Sequence, residues 1–498
     1  MGNSADKTAG LPPPPFYGRC AVERIFYVSS EVAPFAASGG LGDVLGSLPR
    51  AVRRRTGKGT EVGVIMPLYA SIDEKWRCGM DSVHSGEFYL SWRRVAYRIL
   101  LISQQGVDYY FIDCPQYFNR PAMYGEFDDG ERFAVFCRAV IAFILDTDRI
   151  PDVLHANDWQ TALTVIYLKT VFATEKRLFG VRTVFTVHNI AYQGRYDMRI
   201  LSDVLDIHPM HRWAVEYRDE INLVKGALVL SDRVNTVSPR YAKELSDHFF
   251  GEGLSDIVAT VRGGMQGILN GLDTAYFNPA ALNIPYTYKT VAEGKRKNRC
   301  ALVTDYILPE SDAAPVLAFI GRLVEDKGVD LLLAALDSIR ALGVRLLVLG
   351  MGDPQYERAF AQYSERYPDF IRFISRFDRE LSKRIYAAAD IFLMPSRREP
   401  CGLAQMIACR YGTVPVVRAT GGLYDSILPY GRQGGCGFVF SEYTVEDFYY
   451  SVEDAVMLYR TDQTAWQRLT SYVMQKRFGW GASAEQYLSM YKEIRGEV

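Results

Sequence analysis

Long apolar runs, paired cysteines and an excess of either charge are all missing from this chain of 498 residues. No stretch approaches the ~20 consecutive apolar residues needed to span a bilayer, so a membrane protein is not expected. The eight cysteines, Cys20, Cys78, Cys114, Cys137, Cys300, Cys401, Cys409 and Cys436, are scattered without CxxC spacing. That pattern argues against both a zinc site and a secreted disulfide framework, and it fits reduced thiols in a cytoplasmic protein. A formal net charge of −1 gives no long-range pull toward nucleic acid or anionic lipid. The N-terminal stretch with Pro12 to Pro15 lacks both the apolar segment of a signal peptide and the arginines of a transit peptide. Residues 1–20 are therefore expected to be a disordered tail. No repeat of about 20–50 residues is visible, which sets solenoids aside.

What remains is ordinary globular composition, 48% hydrophobic and 23% charged, in a chain long enough for two large domains. Short apolar segments alternate with helical stretches: Ile25–Val28, Val62–Met66, Ile99–Ile102, Tyr109–Ile112, Val153–His155, Val184–Val187 and Arg233–Val237. A second series runs through Val316–Ile320, Arg345–Leu349, Ile371–Ile374, Ile391–Met394, Val414–Val417 and Gly437–Phe440. This βα alternation predicts α/β architecture in two doubly wound, Rossmann-like domains built on parallel sheets. Between the two series, residues 263–312 contain Asn278-Pro279, Pro285 and the basic run Lys295 to Arg299, which reads as a linker with a surface helix.

In open α/β sheets ligands lie at the carboxyl ends of the strands, so the polar residues just after each apolar segment carry the functional weight. Glu399, in Pro395-Ser-Arg-Arg-Glu-Pro-Cys-Gly-Leu403, follows one such segment, and Thr420-Gly-Gly-Leu423 follows the next. An acid beside a glycine loop at adjacent strand ends points to a sugar-nucleotide site. Gly321 to Gly328 follows the first strand of the second series and contains Arg322 and Lys327, a planar fork and a mobile point charge, both able to reach a diphosphate. A solvent-facing basic pair is the competing reading. Ser38-Gly-Gly-Leu-Gly-Asp-Val44 opens a helix with glycines that let backbone N–H groups approach an anion, although Asp43 also suits a solvated first helical turn. His188, in Thr186 to Gly194, and His155 with Asp158, in His155 to Trp159, lie at further strand ends. Trp159 offers a sugar-stacking face there, a hydrogen-bonded structural histidine is the alternative for His188, and a helix cap at Asn157 or Asp158 is the alternative for that cluster. Asp146-Thr-Asp148 matches the DxD pattern of metal-dependent glycosyltransferases but falls in a polar connector, and a metal-free mechanism is preferred.

Taken in order, these segments resemble bacterial glycogen synthases and starch synthases. The matches include Ser38 to Val44, Tyr109 to Arg120, Asp128 to Phe133, His155 to Trp159, His188 to Gly194, Thr236 to Pro239, Ile268 to Asp273, Gly321 to Gly328, Pro395 to Leu403 and Thr420 to Leu423. The resemblance runs from about Ile25 to Tyr491. It implies a retaining glucosyltransferase of the GT-B fold, its two domains facing each other across a cleft. The implied organisation is 21–265 on the acceptor side, 266–478 on the donor side and 479–498 crossing back. Arg322 and Lys327 are implied as diphosphate contacts, Glu399 as a donor-sugar contact with Cys401, Gly402 and Leu403 beside it, and Thr420, Gly421 and Gly422 as a cradle for the distal phosphate. Gly39, Gly40 and Asp43 join them on the donor side, and Phe377 stands where an aromatic ring packs on the base. His188 is implied to support the glucose or its developing positive charge, with Asp158 and Trp159 on the acceptor side.

The implied partners are ADP-glucose, with UDP-glucose as the alternative donor, and an α-1,4-glucan acceptor. No cofactor, metal, nucleic acid or membrane is expected. One departure stands out. Where the family reads Lys-Thr-Gly-Gly-Leu this chain has Ala37-Ser-Gly-Gly-Leu41. A charge-assisted contact contributes about 1.5–3 kcal/mol, so an uncompensated loss predicts a rate lower by roughly tenfold to a hundredfold. A catalytically weak glucan-binding or priming homologue is the rival this departure raises. A phosphorylase is disfavoured, since no pyridoxal-binding lysine context is found.

Overall fold

The computed structural model describes residues 22–57, 59–281, 284–306 and 314–496. The tail expected at 1–20 lies outside the described residues. Two open sheets dominate. The first has nine strands in the order Gln266–Gly267, Arg233–Thr236, Arg182–Val187, Val153–Asn157, Arg24–Val28, Glu61–Pro67, Val107–Asp113, Arg93–Gln104, Asp81–Leu90. Its first seven strands are parallel, and both faces are covered, so Ile25 to Val28 and Val153 to Ala156 are wholly buried. Continuous apolar runs of this kind are what a doubly covered parallel sheet requires.

The last two strands depart from the expected all-parallel pattern. Arg93–Gln104 and Asp81–Leu90 form an antiparallel extension at the sheet's edge. Asp81–Leu90 is largely exposed and polar, so its sequence carries no buried-strand signature. A small antiparallel sheet of Arg195–Asp197, Glu220–Asn222 and Glu216–Tyr217 was likewise silent in the sequence.

The second sheet is entirely parallel, in the order Ile371–Ile374, Arg345–Leu349, Val316–Ile320, Ile391–Met394, Val414–Arg418, Phe438–Phe440. The strand order reverses between Val316–Ile320 and Ile391–Met394. A crevice opens at such a reversal because the crossover connections leave in opposite directions. The loops carrying Lys327 and Glu399 follow these two strands.

The intervening helix, Val291–Tyr306, corrects one sequence expectation. It is not a plain surface helix: Lys295 and Asn298 are buried, and the helix packs on Arg379–Ala388. Lys295 Nζ donates to the carbonyls of Tyr386 and Tyr411 and to Thr413 Oγ1, at 3.1, 3.2 and 2.6 Å. Burial draws its ammonium down to about 7. A run of basic letters suggests solvent, but three fixed acceptors satisfy this one inside.

The final helix, Gly481–Arg495, packs on the first sheet's side of the molecule. Tyr491 Oη bonds His155 Nδ1 at 2.7 Å and Tyr27 Oη at 3.0 Å, and Tyr487 Oη accepts from Asn235. The chain thus passes between lobes twice, and the two passages touch: Leu272 N–H donates to the Phe478 carbonyl at 2.6 Å. A Cβ on Gly271 would lie 2.6 Å from Trp480 Cα, so only glycine admits that approach. Among the described residues, no helix is long and apolar enough to cross a membrane.

Candidate active site

The second lobe supplies the cationic wall. Lys327 ends the short 3-10 turn Glu325–Lys327, and Gly328 follows in the left-handed region at φ 69°. A Cβ on Gly328 would meet the Pro395 carbonyl oxygen at 1.9 Å, so glycine lets this turn lie directly on the loop after Ile391–Met394. The consequence is a contact between two loops distant in sequence. Lys327 Nζ reaches Glu399 Oε2 at 2.6 Å, and Ser396 Oγ donates to the same oxygen at 3.1 Å. Glu399 is 5% exposed, its carboxylate held from two sides.

The glycine loop Thr420 to Gly422 packs on the backbone of the Glu399 loop. Gly422 N–H donates to the Glu399 carbonyl, and a Cβ on Gly421 would lie 1.9 Å from that oxygen. Cys401 is buried, which pushes its thiol up to about 12 and makes it an inert wall element. Gly402, at φ 71°, and Leu403 lead into the helix Ala404–Arg410, with Gln405 bonding the carbonyls of Cys401 and Gly402. Phe377, 69% exposed in the loop after Ile371–Ile374, presents a free aromatic face.

The first lobe supplies the opposite wall. His188 Nε2 lies 3.0 Å from Asn157 Oδ1, while Asn157 Nδ2 donates to the carbonyls of Val28 and His155. Those donations orient the amide, so the imidazole proton sits on Nε2. Desolvation lowers His188 to about 3, which keeps the ring neutral. Its backbone N–H donates to Asp158 Oδ1 at 2.7 Å. Asp158 heads the helix Trp159–Lys169 at φ 58° but makes no side-chain cap bond, so the capping reading fails and its carboxyl turns to the His188 loop instead. Burial pushes that carboxyl up to about 7 against the backbone N–H donors that favour its charge. His155 is structural: it is buried between Tyr491 and Thr186 and lowered to about 3 by desolvation. Trp159 is half-buried, packed edge-on against Phe133 and beside Tyr196. Asp146 belongs elsewhere, bonded to Tyr97 and His84 on the antiparallel edge strands.

The Ser38 to Val44 loop already holds an anion from its own lobe. Glu31 accepts from Ser38 N–H and Oγ, both at 2.7 Å, and from Gly39 N–H at 3.1 Å. Gly39 and Gly40 otherwise face open space. Asp43, in the helix Gly40–Leu45, pairs across the cleft with Arg379 at 2.7 Å. Burial raises its carboxyl, and Arg379 opposes that rise.

Further contacts join the lobes. Arg322 donates to Tyr192 Oη at 3.3 Å, Arg398 pairs with Glu252, and Arg240 N–H donates to Asp425 at 2.7 Å. Glu244 accepts from Gly421 N–H with both oxygens at 3.1 Å. Between the walls lies a cavity of about 30 Å³, lined by the Asn189 to Ala191 loop and Tyr241 on one side and by Arg322, Lys327 and Arg398 on the other. That is room for a water or two. Sequence reading missed Glu31, Glu244, Glu252, Arg379 and Arg398. Glu31 and Arg398 carried a signal, their places in the loops that follow Arg24–Val28 and Ile391–Met394.

A family model described as the starch synthase catalytic domain matches residues 24–260, and one described as glycosyl transferases group 1 matches residues 307–464. The glycogen synthase of Desulfitobacterium hafniense is 38% identical over 95% of this chain and 99% of its own length. That of Geobacillus thermodenitrificans is 39% identical over 95% and 98%. Among solved structures, the catalytic domain of starch synthase IV from Arabidopsis thaliana, bound to ADP and acarbose, is 33% identical with a TM-score of 0.88, covering 96% of this chain and 100% of that one. A sucrose-phosphate synthase from Thermosynechococcus elongatus, 18% identical with a TM-score of 0.61 over 96% and 100%, shares the fold.

Proposed function

The chain belongs to the glycogen and starch synthase family of GT-B glucosyltransferases, and on that premise we propose that it transfers glucose from ADP-glucose to the non-reducing 4-hydroxyl of an α-1,4-glucan with retention at the anomeric carbon. The observation that carries this reading is the Lys327–Glu399 pair at the strand-order reversal, with Arg322 in the same crevice and the neutral His188 on the wall opposite. The ADP in the related starch synthase structure supports the choice of nucleotide.

Glu399 binds donor-sugar hydroxyls, and Lys327 restrains it. An ammonium has three donors, so one can stay on Glu399 while the others turn to the diphosphate. Arg322 adds a planar fork to the same anion. In a same-face displacement the glycosidic C–O bond to the diphosphate breaks, the acceptor oxygen bonds to the anomeric carbon, and the departing phosphate takes the acceptor proton. Arg322 and Lys327 stabilise the charge that develops on the leaving group, where preorganised cations act most strongly. His188, being neutral, adds no repulsion to the developing positive charge on the sugar. Phe377 stacks on the base, the Cys401 to Leu403 and Thr420 to Gly422 loops line the phosphate side, and Asp158 and Trp159 line the acceptor side.

The reading calls on no metal ion, since side-chain cations do the leaving-group work. Arg322, Arg398 and Arg379 tie the lobes to Tyr192, Glu252 and Asp43 across the cleft, so the lobes part to admit a nucleotide sugar and close to exclude water. We further propose a cytoplasmic location, consistent with the free cysteines among the described residues. The test offers purified protein glycogen with labelled ADP-glucose or UDP-glucose and counts label in polymer. Incorporation from ADP-glucose is expected to predominate. Preference for UDP-glucose would overturn the donor assignment, and binding without incorporation from either would overturn the transfer reaction.

A further inference from the structure

The cleft wall carries almost as much negative charge as positive. Arg322, Lys327 and Arg398 line the cavity together with Asp326 and Glu252, and Lys327 is already engaged by Glu399. A diphosphate cannot bind well to a neutralised wall, so one carboxylate must leave it. Glu252 is the acid on that wall contributed by the first lobe, and therefore the one carried away when the lobes part.

Its partner is built to stay. Arg398 immediately precedes Glu399 and its backbone N–H donates to the Asp326 carbonyl of its own lobe at 3.3 Å, while its guanidinium crosses to lie 4.6 Å from the ring centroid of Phe249 on the first lobe. Glu252 sits in the left-handed region at φ 49°, a costly conformation for a non-glycine residue, while its carbonyl accepts from Gln193 Nε2 at 2.9 Å. The strained turn aims its carboxylate across the cleft at Arg398.

We propose that Arg398 is a third cation for the donor diphosphate, with Glu252 the carboxylate that the diphosphate displaces. This inference rests on the reading of the cleft as a nucleotide-sugar site. On opening, Arg398 is left beside Arg322 and Lys327 with its fork unpaired, a geometry suited to bidentate phosphate contact.

Calorimetric titration of the full chain with ADP, alongside AMP, separates the possibilities. Arg398→Ala is expected to weaken ADP binding about tenfold, a charge-assisted contact, with a smaller effect on AMP. Arg398→Lys retains most of the affinity and guards against misfolding of the alanine variant. Glu252→Gln removes the competitor, so ADP affinity is expected to hold or rise. If the pair is only a latch, Arg398→Ala and Glu252→Gln weaken ADP binding alike, and the proposal falls. It falls equally if Arg398→Ala binds ADP as the unaltered chain does. Failure of the unaltered chain to bind ADP at all would instead overturn the underlying reading of the site.

Discussion

Lys327 faces two anions, the Glu399 carboxylate at 2.6 Å and the leaving diphosphate of the proposed reaction. Removing it should therefore cost turnover more than affinity. Lys327→Ala is expected to lower kcat by roughly tenfold to a hundredfold with a smaller change in KM for the donor, measured by steady-state polymer labelling; an unchanged kcat would count against the leaving-group role. Lys327 and Glu399 were legible in the sequence because each follows an apolar strand in a short polar loop. The contacts that Glu244, Glu252 and Arg398 make were not, because the partners lie on the opposite lobe and no local pattern announces a contact across a cleft.

Three buried residues of the first lobe give a pH dependence whose sign can be worked out. His155 and His188 are lowered from 6.5 to about 3 by desolvation, so between these values the unfolded chain binds their protons and the folded chain does not. Their contribution is full above pH 6.5 and is lost as pH falls toward 3. Asp158, raised from 3.8 to about 7 by burial, works in the opposite direction, since the folded chain takes up its proton first. For these three groups, two protons against one leaves a net uptake of about one on unfolding, so their joint contribution to stability should fall as pH drops from about 6 to 4. Melting temperatures over that range check the sign, and His155→Gln should flatten the slope.

At the scale of elements, the final helix is the piece whose removal is easiest to interpret. Tyr491→Phe keeps the ring but strips the hydroxyl that His155 and Tyr27 both contact. A buried group left without its partner costs about 1–3 kcal/mol, which thermal or denaturant unfolding would register while leaving the cleft residues in place. The parallel strands were readable because burial on both faces makes them continuous apolar runs. Asp81–Leu90 escaped because an edge strand faces solvent along most of its length, and Gln266–Gly267 because two residues carry no period. Lys295 was misread for the opposite reason: its letter is polar, but its surroundings supply three acceptors.

For the whole molecule, the governing relation is between strand order and lobe closure. The reversal in the second sheet brings Lys327 to Glu399, and closure brings both to the His188 loop. Arg379 contributes to that closure by reaching Asp43, and it brings a guanidinium to the helix that follows Ala37, where the family resemblance led one to expect a lysine. Arg379→Ala is expected to lower kcat/KM about tenfold, as loss of a charge-assisted contact would. It should also raise the ratio of free glucose released to glucose polymerised, because a cleft that shuts poorly admits water. Equal ratios in variant and unaltered chain would show that Arg379 has no part in sealing the site.

The docking of Gly481–Arg495 against the first lobe has a bearing on how the polypeptide is made. Tyr27 and His155 are laid down early in synthesis, yet Tyr491, the residue that meets both, is made 336 residues after His155. The first lobe must wait, with part of its interior uncapped, until the second has been translated and Gly481–Arg495 swings home. Domains usually mature in the order they emerge; here the earlier one is finished last.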